Sequence, residues 1–162
     1  MKLFKDTYDN FFKWVKGTEL VELEDINVEE DPVRPELSLE WRKSYGRKIY
    51  GLKYQDTIEG IVCVAFTSDI PTTVKELELM SENANLKNKF NTAVAYTVWS
   101  RKRGAGKEII HKLKQHLKQK DNIKTIVTLS PLTPMATHFH IKNGAKLKQI
   151  SADTQNFEYK VD

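Results

Sequence analysis

The segment TAVAYTVWSRKRGAGKEIIHKLKQHLKQK, residues 92–120, decides the fold of this chain. Its first nine residues form an apolar run of strand length, which ends in a cationic turn with two glycines. The residues after the turn predict an amphipathic helix, because apolar side chains recur every three or four positions and lysines occupy the other faces. A second apolar run, NIKTIVTLS, follows. This order of strand, helix and strand predicts a crossover unit in a mixed sheet. The helical stripe consists of Ile109, Ile110, Leu113 and Leu117.

Further strands and helices are predicted on both sides of this unit. Upstream, Ser38 is predicted to cap a short helix, RKIYGLKY and EGIVCVAFT to form a hairpin, and Thr72 or Thr73 to start the next helix. Downstream, a short helix and two closing strands are predicted. We therefore predict the fold class α/β (α+β), with a central sheet of about six to seven strands flanked by helices. Residues 1–162 are expected to form one domain.

An amphipathic helix is predicted over residues 1–17. One face carries apolar side chains at helical spacing, and we expect this face to pack against the domain itself. Binding to a membrane surface is the alternative use of such a face. The helix could also serve a homodimer interface. The face comprises Phe4, Tyr8, Phe11, Phe12 and Val15, with Trp14 beside it.

The composition excludes several classes of protein. The longest apolar run, IVCVAF, is too short to cross a membrane, and MKLFKDTYDN lacks the apolar core of a signal peptide, so we expect a cytoplasmic protein. Cys63 lies in that run and is expected to be a buried hydrophobic residue. The 26 basic and 22 acidic residues leave a net charge of +4. They are unevenly placed: residues 19–40 are acidic, which we interpret as a solvated surface, and residues 101–120 are basic.

The turn RKRGAG and the helix start after it predict a phosphate-binding loop. Glycines allow the backbone to approach a ligand closely, and the N–H groups and dipole at a helix start favour an anion. Flanking cations add charged donors. A solvated basic turn is the structural alternative, and nucleic-acid binding is disfavoured because no aromatic platform accompanies the charges. The candidate residues are Arg101, Lys102, Arg103, Gly104, Ala105, Gly106 and Lys107.

A second candidate site lies in TLSPLTPMATHFHIKNGAKL, residues 128–147. Ser130 precedes a proline, which is also the pattern of a helix cap, so spacing alone favours a capping role. His140 could transfer a proton near neutral pH, whereas His138 would point to another side of the same helix. His111 and His116 are expected to face solvent on the basic helix. No group of histidines and carboxylates has metal-ligand spacing, so no metal is predicted.

These motifs resemble two related groups of proteins. The Arg-x-x-Gly-x-Gly turn between a strand and a helix resembles the coenzyme A loop of the GNAT acyltransferase superfamily. Within that superfamily, Thr128-Leu129-Ser130-Pro131 and the run HFHIKNGAKL, residues 138–147, are similar to signatures of the catalytic domain of malonyl-CoA decarboxylase. The resemblance covers roughly residues 45–160. The helical N-terminal domain of those decarboxylases is expected to be missing, and the coenzyme A loop is shorter.

The resemblance implies a splayed sheet that admits coenzyme A and a small-molecule acyl-CoA as the substrate. It implies that Ser130 orients a malonyl carboxylate and that His140 protonates the product carbon, with backbone donors from strand 92–99 for the enolate. Supporting roles fall on His138, Asn143, Tyr96 and Tyr159.

Two other functions remain open at this point. An acetyltransferase would pass acetyl from acetyl-CoA to an amine, with Tyr159 or Tyr96 as the acid, although strand 92–99 lacks the carboxylate that commonly serves as the base. A non-catalytic acyl-CoA-binding module would need the residues of the loop but not Ser130 and His140.

Overall fold

The computed structural model describes residues 2–120 and 122–161, and for residues 2–6 the backbone alone. Five α-helices and eight strands are described within these ranges. In chain order they are α1 (Lys2–Gly17), β1 (Thr18–Glu22), a 3₁₀ turn (Val28–Glu30), α2 (Leu39–Lys43), β2 (Lys48–Tyr54), β3 (Thr57–Thr67), α3 (Val74–Lys87), β4 (Thr92–Ser100), α4 (Ala105–Lys118), β5 (Thr125–Thr128), β6 (Ser130–Pro131), α5 (Pro134–Lys142), β7 (Lys146–Ile150) and β8 (Thr154–Lys160).

The strands form one mixed sheet in the order β1-β2-β3-β4-β5-β8-β6, and β7 pairs with β8. β4 and β5 pair in parallel across the crossover helix α4, while the other pairs are antiparallel. The predicted α/β class is confirmed. The described strands number eight rather than six or seven, because the connection after β5 contributes the two-residue strand β6.

The centre of the sheet splays open between β4 and β5. Their ladder ends at the pair Ala95 and Thr128, but β4 continues to Ser100. On its other side, β4 contains a β-bulge. Cys63 of β3 pairs with Thr97 and Val64 pairs with Ala95, so Tyr96 between them has no partner in this ladder. The second half of β4 thus borders an open cleft.

Each face of the sheet carries its own core. The predicted helical stripe of α4 is fully buried in one core, and the predicted burial of Cys63 is observed in the other. Helix starts in the first half of the chain follow the predictions, because Ser38 and Thr73 accept hydrogen bonds from the backbone N–H groups of Trp41 and Glu76.

The predicted apolar face of α1 was wrong in part, since Val15 packs against the core but the described aromatic residues of that face do not. Tyr8 and Phe11 are 62% and 54% exposed, whereas Trp14 is 3% exposed and joins the core beside α4. The helix is therefore rotated from the expected orientation, because the large indole rather than the phenyl rings fills the space against the sheet. The predicted contribution of Phe4 falls on a side chain outside the described residues.

The cap of α5 also differs from the expectation. Thr133 Oγ1 accepts a hydrogen bond from the N–H of Ala136, and Pro134 occupies the first helical turn. Ser130 lies three residues earlier, in β6, and pairs with Gln155 of β8. The capping role predicted for Ser130 was therefore wrong. Thr133, which also precedes a proline, caps the helix instead.

Candidate functional site

A cleft of about 490 Å³ opens where β4 and β5 separate. Its lining includes Gly106, in the first turn of α4, together with Ser130 and His140. The second half of β4 forms one wall, and β6 and α5 form the other. No Asp, Glu, Lys or Arg belongs to the lining found among the described residues. The other lining residues are Pro32, Val33, Ala95, Tyr96, Thr97, Val98, Trp99, Ser100, Leu129, Pro131, Thr133, Met135, Ala136 and Phe139.

His140 projects from α5 into an aromatic environment. Its ring lies 5.2 Å from the ring of Phe157 and 5.0 Å from that of Phe139, and the residue is 7% exposed. Nδ1 lies 2.7 Å from the hydroxyl of Tyr159, which leaves Nε2 as the nitrogen available to a ligand. The structure thus brings together two residues that the sequence placed nineteen positions apart.

Burial lowers the pKa of His140 to about 4. The expectation of a value near neutrality was therefore wrong for the free protein, because the surrounding aromatic rings cannot solvate an imidazolium. Burial raises the pKa of Tyr159 above its usual value. Both groups are neutral at pH 7. The short contact then fits a Tyr159 hydroxyl that donates to Nδ1, with the histidine proton on Nε2.

The low pKa of His140 predicts a loss of stability in mild acid. The unfolded chain takes up a proton near pH 6.5 but the folded chain only near pH 4, so this contribution is intact above pH 6.5 and is lost as the pH falls towards 4. We expect a loss of about 3 kcal/mol in the free energy of unfolding from this group. Urea unfolding at pH 7.5 and pH 4.5 measures it. His140→Asn should remove that part of the pH dependence, and an unchanged dependence would contradict the assignment.

Ser130 is buried at 4% exposure at the end of the cleft. Its hydroxyl donates to Thr128 Oγ1 at 2.8 Å, and Thr128 Oγ1 also accepts from the N–H of Phe157 at 3.0 Å. The Thr128 hydroxyl can instead donate to Ser130 Oγ, which frees the Ser130 proton for a ligand. Thr128 is a functional candidate that sequence reasoning missed. Its spacing of two residues from Ser130, on the same side of an extended chain, was the available signal.

The remaining candidates for support lie at different distances from the cleft. His138 is exposed and lines a separate groove of about 730 Å³ on the outer side of α5. Asn143 ends α5, and its side chain donates to the carbonyl of Phe139. Tyr96 packs edge-on against Trp41, and its buried hydroxyl lies beside the thiol of Cys63. The structure thus brings Tyr159, rather than Tyr96, to His140.

The predicted phosphate loop has the backbone shape that anion binding requires. Gly104 adopts φ +89° immediately before α4, a conformation that favours glycine. Within the described residues, the N–H groups of Gly106 and Lys107 have no hydrogen-bond acceptor. Arg103 and Lys107 are exposed beside them, and Ala105 is buried. These groups are free to bind a phosphate at the start of α4.

Two of the predicted loop cations already have partners. Arg101 forms an ion pair with Glu30, with 2.6 Å between Nη2 and Oε2. Lys102 Nζ lies 4.8 Å from the ring centre of Trp14, a cation–π contact that links the loop to α1. A ligand phosphate would therefore meet Arg103 and Lys107 first.

A buried ion pair next to the cleft was not anticipated. Asp31, predicted to lie on a solvated acidic surface, is 1% exposed and bonds Arg42 with 2.8 Å between Oδ2 and Nη1. The Arg42 side chain also donates to the carbonyls of Arg34 and Leu37, at 2.6 and 3.0 Å. In the sequence, the only indication of a structured loop here was the segment DPVRPE, in which two prolines and an arginine interrupt the acidic run.

The two histidines of α4 differ in exposure. His111 is exposed as predicted, but His116 is half-buried and packs 5.3 Å from the ring of Tyr50, so its predicted exposure was wrong. Among residues 2–120 and 122–161, no cluster of three potential metal ligands was found. Likewise, no described helix is long and apolar enough to span a bilayer.

The chain matches solved structures of low sequence identity. A malonyl-CoA decarboxylase from Agrobacterium vitis aligns at a TM-score of 0.60 and 21% identity, over 91% of this chain and 42% of that chain. The loading GNATL domain of CurA from Lyngbya majuscula aligns at 0.65 and 12% identity, over 89% and 98% of the two chains. A GNAT family acetyltransferase from Elizabethkingia anophelis with acetyl-CoA bound aligns at 0.58 and 13% identity, over 89% and 98%.

At these identities the likeness shows the fold. The sheet and its helices are those of GNAT structures, as the resemblance predicted, and the chain spans 42% of the length of the Agrobacterium vitis decarboxylase. No protein-family model and no curated protein matches the sequence.

Proposed function

We propose that the protein binds malonyl-CoA and decarboxylates its acyl group to give acetyl-CoA and CO2. The observation that supports this most is the cleft that joins Gly106, at the start of α4, to Ser130 and His140. A helix start suited to phosphate and a hydroxyl–imidazole pair therefore border one space. Among the described residues, the cleft lining contains no carboxylate that would repel a malonyl group.

Two features of the cleft, the start of α4 and the open edge of β4, support coenzyme A as the ligand. The N–H groups of Gly106 and Lys107 and the cation of Arg103 bind the phosphates at the start of α4. The pantetheine arm runs along the open edge of β4, where the described strands leave the backbone unpaired beyond Ala95 on that side. A GNAT family acetyltransferase of the same fold has acetyl-CoA bound, which supports this choice of ligand.

Decarboxylation breaks the bond between the malonyl α carbon and its carboxylate. The electron pair of that bond moves into the thioester as an enolate, CO2 leaves, and the α carbon takes up one proton. Ser130 donates to the carboxylate and orients it, while Thr128 donates to Ser130. The backbone N–H groups in the second half of β4 that point away from β3 stabilise the enolate oxygen. The apolar lining favours the reaction because it solvates a carboxylate poorly and neutral CO2 well.

His140 supplies the proton to the α carbon. It is neutral in the free protein, but the malonyl carboxylate raises its pKa because an opposite charge stabilises the imidazolium. His140 therefore takes up a proton from solvent when the substrate binds. Tyr159 then accepts from Nδ1–H and keeps Nε2–H directed at the substrate.

Acetyl transfer to an amine is the second candidate. It is favoured by the GNAT structures that align over 98% of their own length and by Tyr159, whose buried hydroxyl could protonate the leaving thiolate. It is disfavoured because the part of the chain that the structure describes places no Asp or Glu in the cleft lining to serve as the base. Neutral His140 would have to take that role.

Purified protein incubated with malonyl-CoA alone is expected to form acetyl-CoA and CO2 in equal amounts. Ser130→Ala should lower kcat by about 100-fold, since it removes a donor to the reacting carboxylate. Mass spectrometry of the thioester and a coupled CO2 assay measure both products. Ser68→Ala is the matched control, because Ser68 is exposed and lies outside the cleft. Acetyl transfer to amines without CO2 release would contradict the proposal.

The same samples test the phosphate site separately from the chemistry. Gly104→Asp places a carboxylate before α4 and should weaken coenzyme A binding about tenfold. Gly144→Asp is its control, because Gly144 has a similar φ of +96° and lies in open space after α5. Equal effects of the two substitutions in calorimetry would contradict the assignment of the loop. Binding without turnover in the wild type would indicate a non-catalytic acyl-CoA module.

A further inference from the structure

The loop of residues 31–37, here called the Asp31 loop, crosses the point where β4 and β5 separate. Inside the loop, Asp31 Oδ1 accepts the N–H groups of Val33 and Arg34 at 2.8 and 2.9 Å. The buried pair with Arg42 holds the same carboxylate from the other side. These contacts fix the loop as a rigid turn.

Two side-chain contacts connect this rigid turn to the opposite walls of the cleft. On the β4 side, Thr97 Oγ1 donates to Asp31 Oδ1 at 2.8 Å, and Thr97 is 3% exposed. On the β6 side, Arg34 Nη2 donates to the carbonyl of Leu129 at 2.9 Å, immediately before Ser130. One short loop therefore bridges the gap in the sheet.

The backbone alone does not fix the separation of these walls. The β4–β5 ladder ends at Ala95, and the hydrogen bond from the N–H of Leu129 to the carbonyl of Ala95 is long, at 3.4 Å. Beyond that bond, the Asp31 loop connects the two walls by side-chain hydrogen bonds, and Phe139 of α5 packs against Gly106 at the start of α4. A displacement of about 1 Å between a catalytic group and the reacting atoms can lower a rate about 100-fold.

We propose that Thr97 and Arg34 are positioning residues that set the width of the splay, and hence the position of Ser130 relative to the thioester held along β4. This inference rests on the function proposed above, because it concerns the same cleft and substrate. Thr97 lines the cleft but directs its hydroxyl at Asp31, and Arg34 is not among the lining residues. Each acts through the Asp31 loop on a wall that contacts the substrate.

The test uses isosteric variants of the two bridging contacts. Thr97→Val removes the hydroxyl while keeping the shape, and Arg34→Met removes the donor to Leu129. Each is expected to lower kcat for malonyl-CoA about tenfold with the Kd for coenzyme A unchanged. Thr97→Ser and Arg34→Lys, which keep a donor, should restore most of the rate. The double variant should lose about tenfold rather than about 100-fold, because both contacts act through one loop.

A merely structural role would give a different pattern. It would lower the melting temperature and the folded fraction while leaving kcat per folded molecule unchanged, and that result would overturn the inference. Fully additive losses would overturn it as well. The ratio of the Kd for coenzyme A to that for acetyl-CoA provides a readout without turnover, and Thr97→Val should shift it towards one.

The two proposals can fail separately. If the wild type does not decarboxylate malonyl-CoA but Thr97→Val and Arg34→Met shift the affinity ratio, the proposed reaction fails and the positioning role stands. If the wild type decarboxylates malonyl-CoA and both variants match it in kcat and in affinity ratio, the positioning role fails alone. Failure to bind any acyl-CoA would overturn both.

Discussion

Replacing His140 with asparagine is expected to lower kcat for malonyl-CoA decarboxylation by about 10²–10⁴-fold, the usual contribution of a positioned proton donor. The asparagine amide can occupy the place of Nδ1 and keep the hydrogen bond to Tyr159, but nothing replaces Nε2. The Kd for coenzyme A should change little, because in the proposed complex the phosphates bind at the start of α4 and not at His140. Stopped-flow measurement of CO2 release and calorimetry with coenzyme A separate the two effects.

The pH profile distinguishes a proton donor from a structural histidine. In the wild type, kcat should fall as the pH rises through the pKa of His140 in the substrate complex, since only the imidazolium can protonate the α carbon. The residual rate of His140→Asn should lack that limb. His138→Asn is the matched control on the same helix, because His138 is exposed on the outer groove. Equal losses in both variants would contradict the role of His140.

The elements that depend on local periodicity were predictable from the sequence. The strand, glycine turn and helix of residues 92–118 appear as expected, because an uninterrupted apolar run and a helical stripe leave few alternatives. The orientation of α1 was not predictable. Phe11 and Phe12 are as apolar as Trp14, but they are 54% and 43% exposed whereas Trp14 is 3% exposed, and no local pattern distinguishes them.

The candidate site was predictable only where its residues are close in the chain. Ser130 and His140 lie within one twenty-residue segment that resembles known signatures, whereas Tyr159 meets His140 only because β8 returns beside β5. Asp31 is a sharper case. An aspartate in an acidic run is ordinarily solvated. Asp31 is buried because it pairs with Arg42, and no local sequence pattern shows that these two residues are close in space.

Replacing Arg42 with methionine is expected to lower the free energy of unfolding by about 3–5 kcal/mol, since it leaves the carboxylate of Asp31 buried without its charged partner. The side chains of both residues are 0% exposed and 2.8 Å apart. Methionine matches the aliphatic stem of arginine, so lost packing contributes little. Urea unfolding monitored by tryptophan fluorescence measures the change, which corresponds to a fall in melting temperature on the order of 10 °C.

Arg101→Met is the matched control, because Arg101 forms an arginine–carboxylate pair of nearly the same distance that is exposed to solvent. Arg101 and Glu30 are 2.6 Å apart, but both side chains are 42% exposed. Solvent and salt screen such a pair, so its loss should cost less than about 1 kcal/mol. If Arg42→Met is too unstable to purify, Arg42→Lys keeps the charge and should fall between the two. Equal costs for Arg42→Met and Arg101→Met would show that burial of the Asp31–Arg42 pair is not what stabilises the loop beside the cleft.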